Sequence, residues 1–322
     1  MRQFAKPTIV VSKCLEFDAC RYNGEMIPDV TIRNLQPFVT FIPVCPEVEI
    51  GLGTPRETIR IVEENDENRL VQPSTREDVT EKMEQFSNDF LQTISDVDGF
   101  ILKNRSPSCG TRDVKIYSGF EKAPAKGKGA GLFGGAVVKK FSHLPIEEEG
   151  RLSNFIIREH FFTRLFTIAY YKMIKHNKNM KELVSFQSDN KYLFMAYNQV
   201  KQKELGRIIA NHKNEKIEVV FENYEKTLYE LFMRTPRYTS NVNVCEHIFG
   251  YFKTKLKKQE KDHFIELLQK YAEKKIPLSS LLTILKSWAI RFDEKYLLRQ
   301  TYFEPYPEAL VEISDSGKGR DY

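Results

Sequence analysis

Short apolar, β-rich runs punctuate the first 150 positions of the chain, and each closes on a turn. Thr8-Ile9-Val10-Val11, Val39-Thr40-Phe41-Ile42-Pro43-Val44 and Gly99-Phe100-Ile101-Leu102 are such runs, and residues 7–12 read as a buried strand. Between the last two, apolar residues recur at helical spacing from Thr75 to Ile94 (Val79, Met83, Phe86, Phe90, Leu91, Ile94), with Ser74 or Thr75 as cap. A shorter helix is expected around Thr31 to Leu35, a hairpin beside the main sheet over 57–62 and 68–72, and a further strand at Val114 to Tyr117. Strand, helix, strand alternation of this kind predicts an α/β, Rossmann-like N-terminal domain with a mostly parallel sheet. The Gly- and Lys-rich stretch Ala123 to Gly135 lacks the Gly-Lys-Ser/Thr ending of a phosphate loop and is expected to form a mobile flap.

From Arg151 onward the period becomes helical. Phe155, Phe162, Phe166 and Ala169 share one stripe of the first helix, with Arg151, Arg158 and Arg164 largely off it. Amphipathic segments at 190–212, 217–233, 240–257, 261–274 and 279–300 complete an all-α C-terminal domain. Ser142-His143-Leu144-Pro145 reads as the linker, followed by Glu147-Glu148-Glu149. The expected division is 1–144 for the α/β domain, 145–312 for the helical domain and 313–322 for a disordered tail.

A chain of 322 residues is long for a single core, in line with two domains. Its 41% hydrophobic and 29% charged residues are ordinary for a soluble globular protein. No apolar run is long enough to span a bilayer and the N-terminus lacks a signal-peptide core, so a cytoplasmic protein without a membrane partner is expected. The five cysteines (14, 20, 45, 109, 245) form no dense framework, which points to reduced thiols. Charge is uneven: residues 1–150 carry 19 Lys+Arg against 23 Asp+Glu, or −4, and residues 151–322 carry 30 against 21, or +9. The second half is able to face a polyanion, although a solvated surface accounts for the same balance.

Cys14, Cys45 and Cys109 each lie just past one of the three apolar runs. In an open α/β sheet the carboxyl ends of the strands are where ligands bind. Three thiolates from three loops can hold a metal centre and leave one position open, as a Lewis-acid catalyst needs. Iron–sulfur clusters usually take four thiolates, so a three-thiol site leaves one iron for an external ligand, and soft iron suits a soft sulfur substrate. Cys20 as a fourth ligand would close the site, and small buried thiols would look the same in sequence. Glu47, two residues after Cys45, is a candidate general base on the same side of an extended turn. Ser106 and Ser108, flanking Pro107, are placed to relay a proton or hydrogen-bond a substrate; turn capping explains them equally. Cys245 reads as core. Lys253, Lys255, Lys257, Lys258 and Lys261 with Tyr251 and Phe252 make one basic cluster, and Arg234, Arg237 and Tyr238 another. Such residues serve phosphate contact and base stacking, or simply a solvated helix face.

Several motifs carry a family resemblance. Val11-Ser12-Lys13-Cys14-Leu15, Cys20-Arg21-Tyr22-Asn23-Gly24, Cys45-Pro46-Glu47-Val48, Thr54-Pro55-Arg56 and Lys103 through Ser106-Pro107-Ser108-Cys109-Gly110 resemble the thiouracil desulfidase (TudS-type) domain. Glu148-Glu149-Gly150-Arg151-Leu152, Lys191-Tyr192-Leu193-Phe194-Met195-Ala196, Leu205-Gly206-Arg207, Gly250-Tyr251-Phe252-Lys253, Ile276-Pro277-Leu278 and Tyr296-Leu297 resemble the YbgA-type helical domain. The fused pair is similar to the tRNA 4-thiouridine desulfidases (RudS-type). The resemblance implies a 4Fe-4S cluster on Cys14, Cys45 and Cys109 with one open iron, Glu47 and Ser106 as the acid/base pair, and non-redox hydrolysis of C=S to C=O with release of sulfide. It implies a helical domain that holds tRNA, with Arg151, Arg158, Arg207 and Lys253 as candidate RNA contacts. The alternatives are a desulfidase of free thiouracil or thionucleosides, and a non-catalytic iron–sulfur redox sensor that binds RNA.

Overall fold

The computed structural model describes residues 2–94, 96–120, 124–210 and 212–312. The expected disordered tail, 313–322, lies outside them. The chain forms two compact units, Met1–Ala169 with Pro307–Tyr322, and Tyr170–Tyr306.

In chain order the first unit runs β1 (Thr8–Ser12), α1 (Val30–Leu35), β2 (Thr40–Val44), α2 (Pro46–Glu49), β3 (Arg60–Glu64), β4 (Glu67–Gln72), β5 (Glu77–Asp78), α3 (Thr80–Thr93), β6 (Gly99–Leu102), β7 (Val114–Tyr117), β8 (Ala125–Gly129), α4 (Leu132–Phe141), β9 (Ile146–Glu148) and α5 (Glu149–Leu152). The long helix α6 (Phe155–Asn177) begins in it. Its main sheet has the order β2-β1-β6-β9, every pair parallel. Ile9, Val10 and Val11 of β1 and Phe100, Ile101 and Leu102 of β6 are fully buried, which is why both strands read as unbroken apolar runs. From β1 the chain steps out to β2 and later returns on the other side of β1 as β6. The order therefore reverses there, and the crevice beyond the carboxyl ends of β1 and β6 is the switch point where such sheets bind ligands.

Three expectations change. The stretch read as a linker into an acidic run holds β9, paired with β6 as Phe100↔Ile146 and Leu102↔Glu148. Helix α3 starts five residues after Thr75 because Glu77 and Asp78 pair with β4; Asp78 then accepts from the Thr80 backbone N–H at 2.9 Å. The described part of the Gly/Lys-rich stretch forms no flap: Ala125–Gly129 is a strand on the edge of a second sheet, order β5-β4-β3-β7-β8, and α4 follows. Lysines alternating with glycines suit such an edge, where charge discourages further strand pairing. The expected hairpin is β3–β4, turned by Asn65 and Asp66 at φ 51 and 65, the left-handed pair that fits strand twist.

The second unit consists of the end of α6 followed by α7 (Met180–Asp189), α8 (Lys191–Tyr197), α9 (Gln199–Ala210), α10 (Ile217–Leu231), α11 (Tyr238–Phe249), α12 (Lys258–Ala272), α13 (Leu278–Arg291) and α14 (Lys295–Leu298). Its core is aromatic. Tyr171 stacks on Tyr224 with centroids 5.4 Å apart, and each buried hydroxyl is satisfied, Tyr171 donating to Phe221 O and Tyr224 to Gln187 Oε1, both at 2.6 Å. Cys245 is fully buried in this core, as its helical pattern indicated.

On α6, burial pushes the Glu159 carboxyl up to about 7 and the His160 imidazole down to about 3. For Glu159 the folded value stands above the ordinary 4.5, so its contribution favours the fold below that value and is lost as pH rises through about 7. His160 has the opposite sign: its neutral form in the fold loses stability as pH falls below its ordinary 6.5. Glu159→Gln is expected to stabilise the protein by about 1–2 kcal/mol near pH ~8 and to change it little near pH ~4. Chemical denaturation at the two pH values checks this.

Candidate active site

The site is built where the four parallel strands of the main sheet end. Lys13 N–H still completes the ladder to Val44 O at 2.8 Å, and Cys14 follows it. Cys45 ends β2 and starts α2, its carbonyl accepting from the N–H groups of Val48 and Glu49 at 3.0 Å. At the last residue of β1 the Ser12 hydroxyl takes the place of a backbone acceptor and receives Lys103 N–H at 2.9 Å, which carries the chain from β6 into the turn holding Cys109. Gly110 N–H closes that turn on Ser106 O at 2.9 Å.

Three loops thus bring Cys14, Cys45 and Cys109 together. Burial pushes Cys14 up to about 12 and Cys109 well above its ordinary value, and charge repulsion adds to it, from Cys45 on Cys14 and from Cys14 and Cys45 on Cys109. The Lys103 ammonium acts in the opposite sense on Cys14. Cys20 is a fourth neighbour, also raised to about 12, first by burial and then by Cys45. Its carbonyl accepts the Cys45 thiol at 3.8 Å. Among the described residues no three Cys, His, Asp or Glu side chains close around a single metal ion. The three strand-end thiols are free and act on one another electrostatically, and a metal centre held by them would take them as thiolates. Loading such a centre must displace the thiol protons.

Glu47 lies in the single turn of α2, not in the extended turn the sequence implied, and remote partners aim it. Arg56, only 4% exposed, donates to Oε2 from Nε at 2.9 Å and from its second terminal nitrogen at 2.6 Å. Its other terminal nitrogen donates to the carbonyls of Cys20 (3.0 Å) and Gly53 (2.8 Å). Oε1 of Glu47 accepts from Ser108 Oγ at 2.6 Å, and Ser108 Oγ lies 2.9 Å from Ser106 Oγ. Ser106 Oγ also accepts the N–H groups of Ser108 and Cys109 at 3.3 and 3.1 Å.

Two supports hold the Cys109 turn. The first turn of α4 donates into it, Gly131 N–H to Gly110 O (2.7 Å), Leu132 N–H to Pro107 O (3.2 Å) and Gly134 N–H to Ser108 O (2.9 Å). Side chains are excluded there: a Cβ on Gly131 would meet the Ser108, Pro107 and Ser106 carbonyl oxygens at 2.6–2.8 Å. On the other side Oε1 of Glu148, at the end of β9, accepts the Thr111 N–H (2.7 Å), the Thr111 hydroxyl (2.9 Å) and the Arg112 N–H (3.2 Å). Glu149 pairs with Lys103 and accepts Asn104 N–H at 2.7 Å.

The four residues named as RNA contacts are not alike. Arg158 is buried in the first unit, donating to Leu152 O at 2.8 Å and Glu312 O at 2.7 Å. It is a structural arginine and leaves the set, because a guanidinium held by buried carbonyls cannot reach a phosphate. Arg151, half-buried, pairs with Glu147 at 2.7 Å. Arg207 and Lys253 stand exposed on the second unit.

A family model described as 2-thiouracil desulfurase matches residues 9–149. The chain belongs to the 2-thiouracil desulfurase family. A second model, a protein of unknown function (DUF1722), matches residues 191–307. The uncharacterized protein YbbK of Bacillus subtilis (strain 168) is 35% identical over 118 residues, covering 34% of this chain and 77% of that protein. The uncharacterized protein YbgA of Escherichia coli (strain K12) is 23% identical over 156 residues, covering 48% of this chain and 92% of that protein. Among solved structures, a [4Fe-4S]-dependent thiouracil desulfidase, TudS, aligns at 25% identity over 46% of this chain and 93% of its own, with a TM-score of 0.37. The chain therefore joins a thiouracil desulfurase domain to a YbgA-type domain, with an α/β sheet in the first and helices in the second.

Serine in place of Cys14, Cys45 or Cys109 is expected to abolish iron retention after anaerobic reconstitution, while Cys20→Ser keeps the wild-type iron and sulfide content. Gly131→Ala should displace the Cys109 turn, lowering stability by about 1–3 kcal/mol and cutting iron content with it. Metal analysis and thermal unfolding of each variant check both.

Proposed function

We propose that the protein is an iron–sulfur-dependent desulfidase that removes sulfur hydrolytically from 4-thiouridine in tRNA. The observation that carries this reading is the meeting of three soft thiols with the Glu47, Ser108 and Ser106 chain at one sheet-end crevice. Soft thiols suit a 4Fe-4S cluster, which we assign to the strand-end Cys14, Cys45 and Cys109 with one iron open, leaving the neighbouring thiol of Cys20 outside it. When bound, the cluster supplies a soft Lewis acid for the thiocarbonyl sulfur.

The chain's own groups supply the proton chemistry. Arg56 keeps Glu47 paired and aimed, leaving Oε1 to the serines. Ser106, half-buried, is the member of the pair open to reactants, and with Glu47 it takes the proton of the attacking water and returns one to the departing sulfur. Water adds as oxygen and sulfur leaves as sulfide, so no electrons are transferred.

The helical unit is read as the tRNA-presenting part. Its support is the +9 balance of residues 151–322 and the exposed Arg207 and Lys253. A thiolated base inside folded RNA has to leave its stack to reach the thiols. We place the protein in the cytoplasm, where thiols stay reduced; among the described residues no helix is long and apolar enough to cross a membrane. The family's name favours a second reading, action on free thiouracil or thionucleosides.

Anaerobically reconstituted full-length protein, incubated with bulk tRNA, is expected to convert 4-thiouridine to uridine with one sulfide released per base. Loss of sulfur from free thiopyrimidines alone would move the assignment to the second reading. Glu47→Gln should lower turnover about 10²–10⁴-fold with iron content unchanged, whereas an RNA-binding redox sensor would be indifferent to it.

A further inference from the structure

We infer that Ser108 is the proton relay that makes Ser106 and Glu47 one catalytic unit. The inference rests on the desulfidase reading and deepens it. Glu47 and Ser106 do not bond to each other directly in this chain; the Ser108 hydroxyl stands between them, 2.6 Å from one and 2.9 Å from the other.

Counting protons gives the chain a direction. Glu47 accepts on both oxygens, from Arg56 on Oε2 and from the Ser108 hydroxyl on Oε1. The single Ser108 hydroxyl proton has two acceptors in reach, Oε1 at 2.6 Å and the Cys109 sulfur at 3.8 Å, and the short contact to Oε1, of the length typical of charge-assisted O–H bonds, takes it. Toward Ser106, Ser108 must then accept, so Ser106 donates. The Ser106 oxygen meanwhile receives two backbone N–H groups, from Ser108 and Cys109. Those two donors are what an oxygen about to gain negative charge needs. Burial separates the roles: Ser108 is fully buried and cannot meet a substrate, whereas Ser106 is half-buried.

The step is a concerted double transfer. The Ser106 O–H bond breaks and its proton moves to Ser108 Oγ as the Ser108 proton moves to Glu47 Oε1. One negative charge passes from Glu47 to Ser106, where the two N–H groups hold it, and nothing is oxidised or reduced. Ser106 then takes a proton from the attacking water, and reversal of the relay delivers the stored proton toward the leaving sulfur.

The test uses cluster-loaded full-length protein. Ser108→Ala is expected to lower kcat about 10²–10³-fold with KM and iron content unchanged, and Ser108→Thr to recover most of it. The Ser108→Ala, Glu47→Gln double variant should be no worse than Glu47→Gln alone, the non-additivity of groups acting as a unit. Neutron diffraction should place the Ser108 deuterium toward Glu47 and the Ser106 deuterium toward Ser108. The proposal is overturned if Ser108→Ala retains turnover within about threefold, if its loss adds to that of Glu47→Gln, or if the deuterium of Ser108 points at Ser106. Should the wild-type protein act on no thiopyrimidine at all, the desulfidase reading falls, and the deuterium positions still decide the relay.

Discussion

Everything at the site hangs on the register of four parallel strands. Ser12 lies opposite Val44, Val11 opposite Ile101 and Leu102 opposite Glu148, so the four strands stop at one level and their next residues face a common crevice. In a parallel sheet this cannot be adjusted strand by strand, because slipping one by a single residue would swap the side chains between its two packed faces and move its strand-end residue off that level. The thiols, the lysine that tempers Cys14 and the acids that pin the Cys109 turn inherit their positions from that level. Loop flexibility contributes little, since each loop is tied within a few residues of its strand.

Polar satisfaction does the remaining work. The Cys109 turn exposes a run of carbonyls and N–H groups that would be costly to leave unpaired at a buried crevice. Helix α4 covers the carbonyls and Glu148 covers the N–H groups beyond them. Arg56 does the same for the opposite wall, joining the Cys20 loop, the Gly53 turn and Glu47 through one guanidinium. Removing any of these supports leaves several groups orphaned at once.

The parts legible in sequence were those written in local pattern. Unbroken apolar runs announced β1, β2 and β6, and position after each run announced Cys14, Cys45 and Cys109. What stayed hidden depends on contacts between distant positions. Ser108 meets Glu47 across 61 residues and Thr111 meets Glu148 across 37, and no periodicity encodes either. Glu148 and Glu149 read only as an acidic run after the linker because charge clusters usually are solvent-facing, and Gly131 read as part of a flap because its reason is steric, a carbonyl wall that admits no Cβ. Arg158 read as surface because it lies off the apolar stripe of α6, yet off-stripe residues near a helix start can be buried by returning chain, here Glu312.

The glycines at the start of α4 have an electrical consequence as well as a steric one. A helix of ten residues ends at its N-terminus in partial positive charge, and the close approach that Gly131 permits sets that pole directly behind Cys109. Metal binding would convert the three strand-end thiols to thiolates beside Glu47 and gather negative charge there. The helix would answer that charge with a fixed field built into the fold, alongside the cations Lys103 and Arg56.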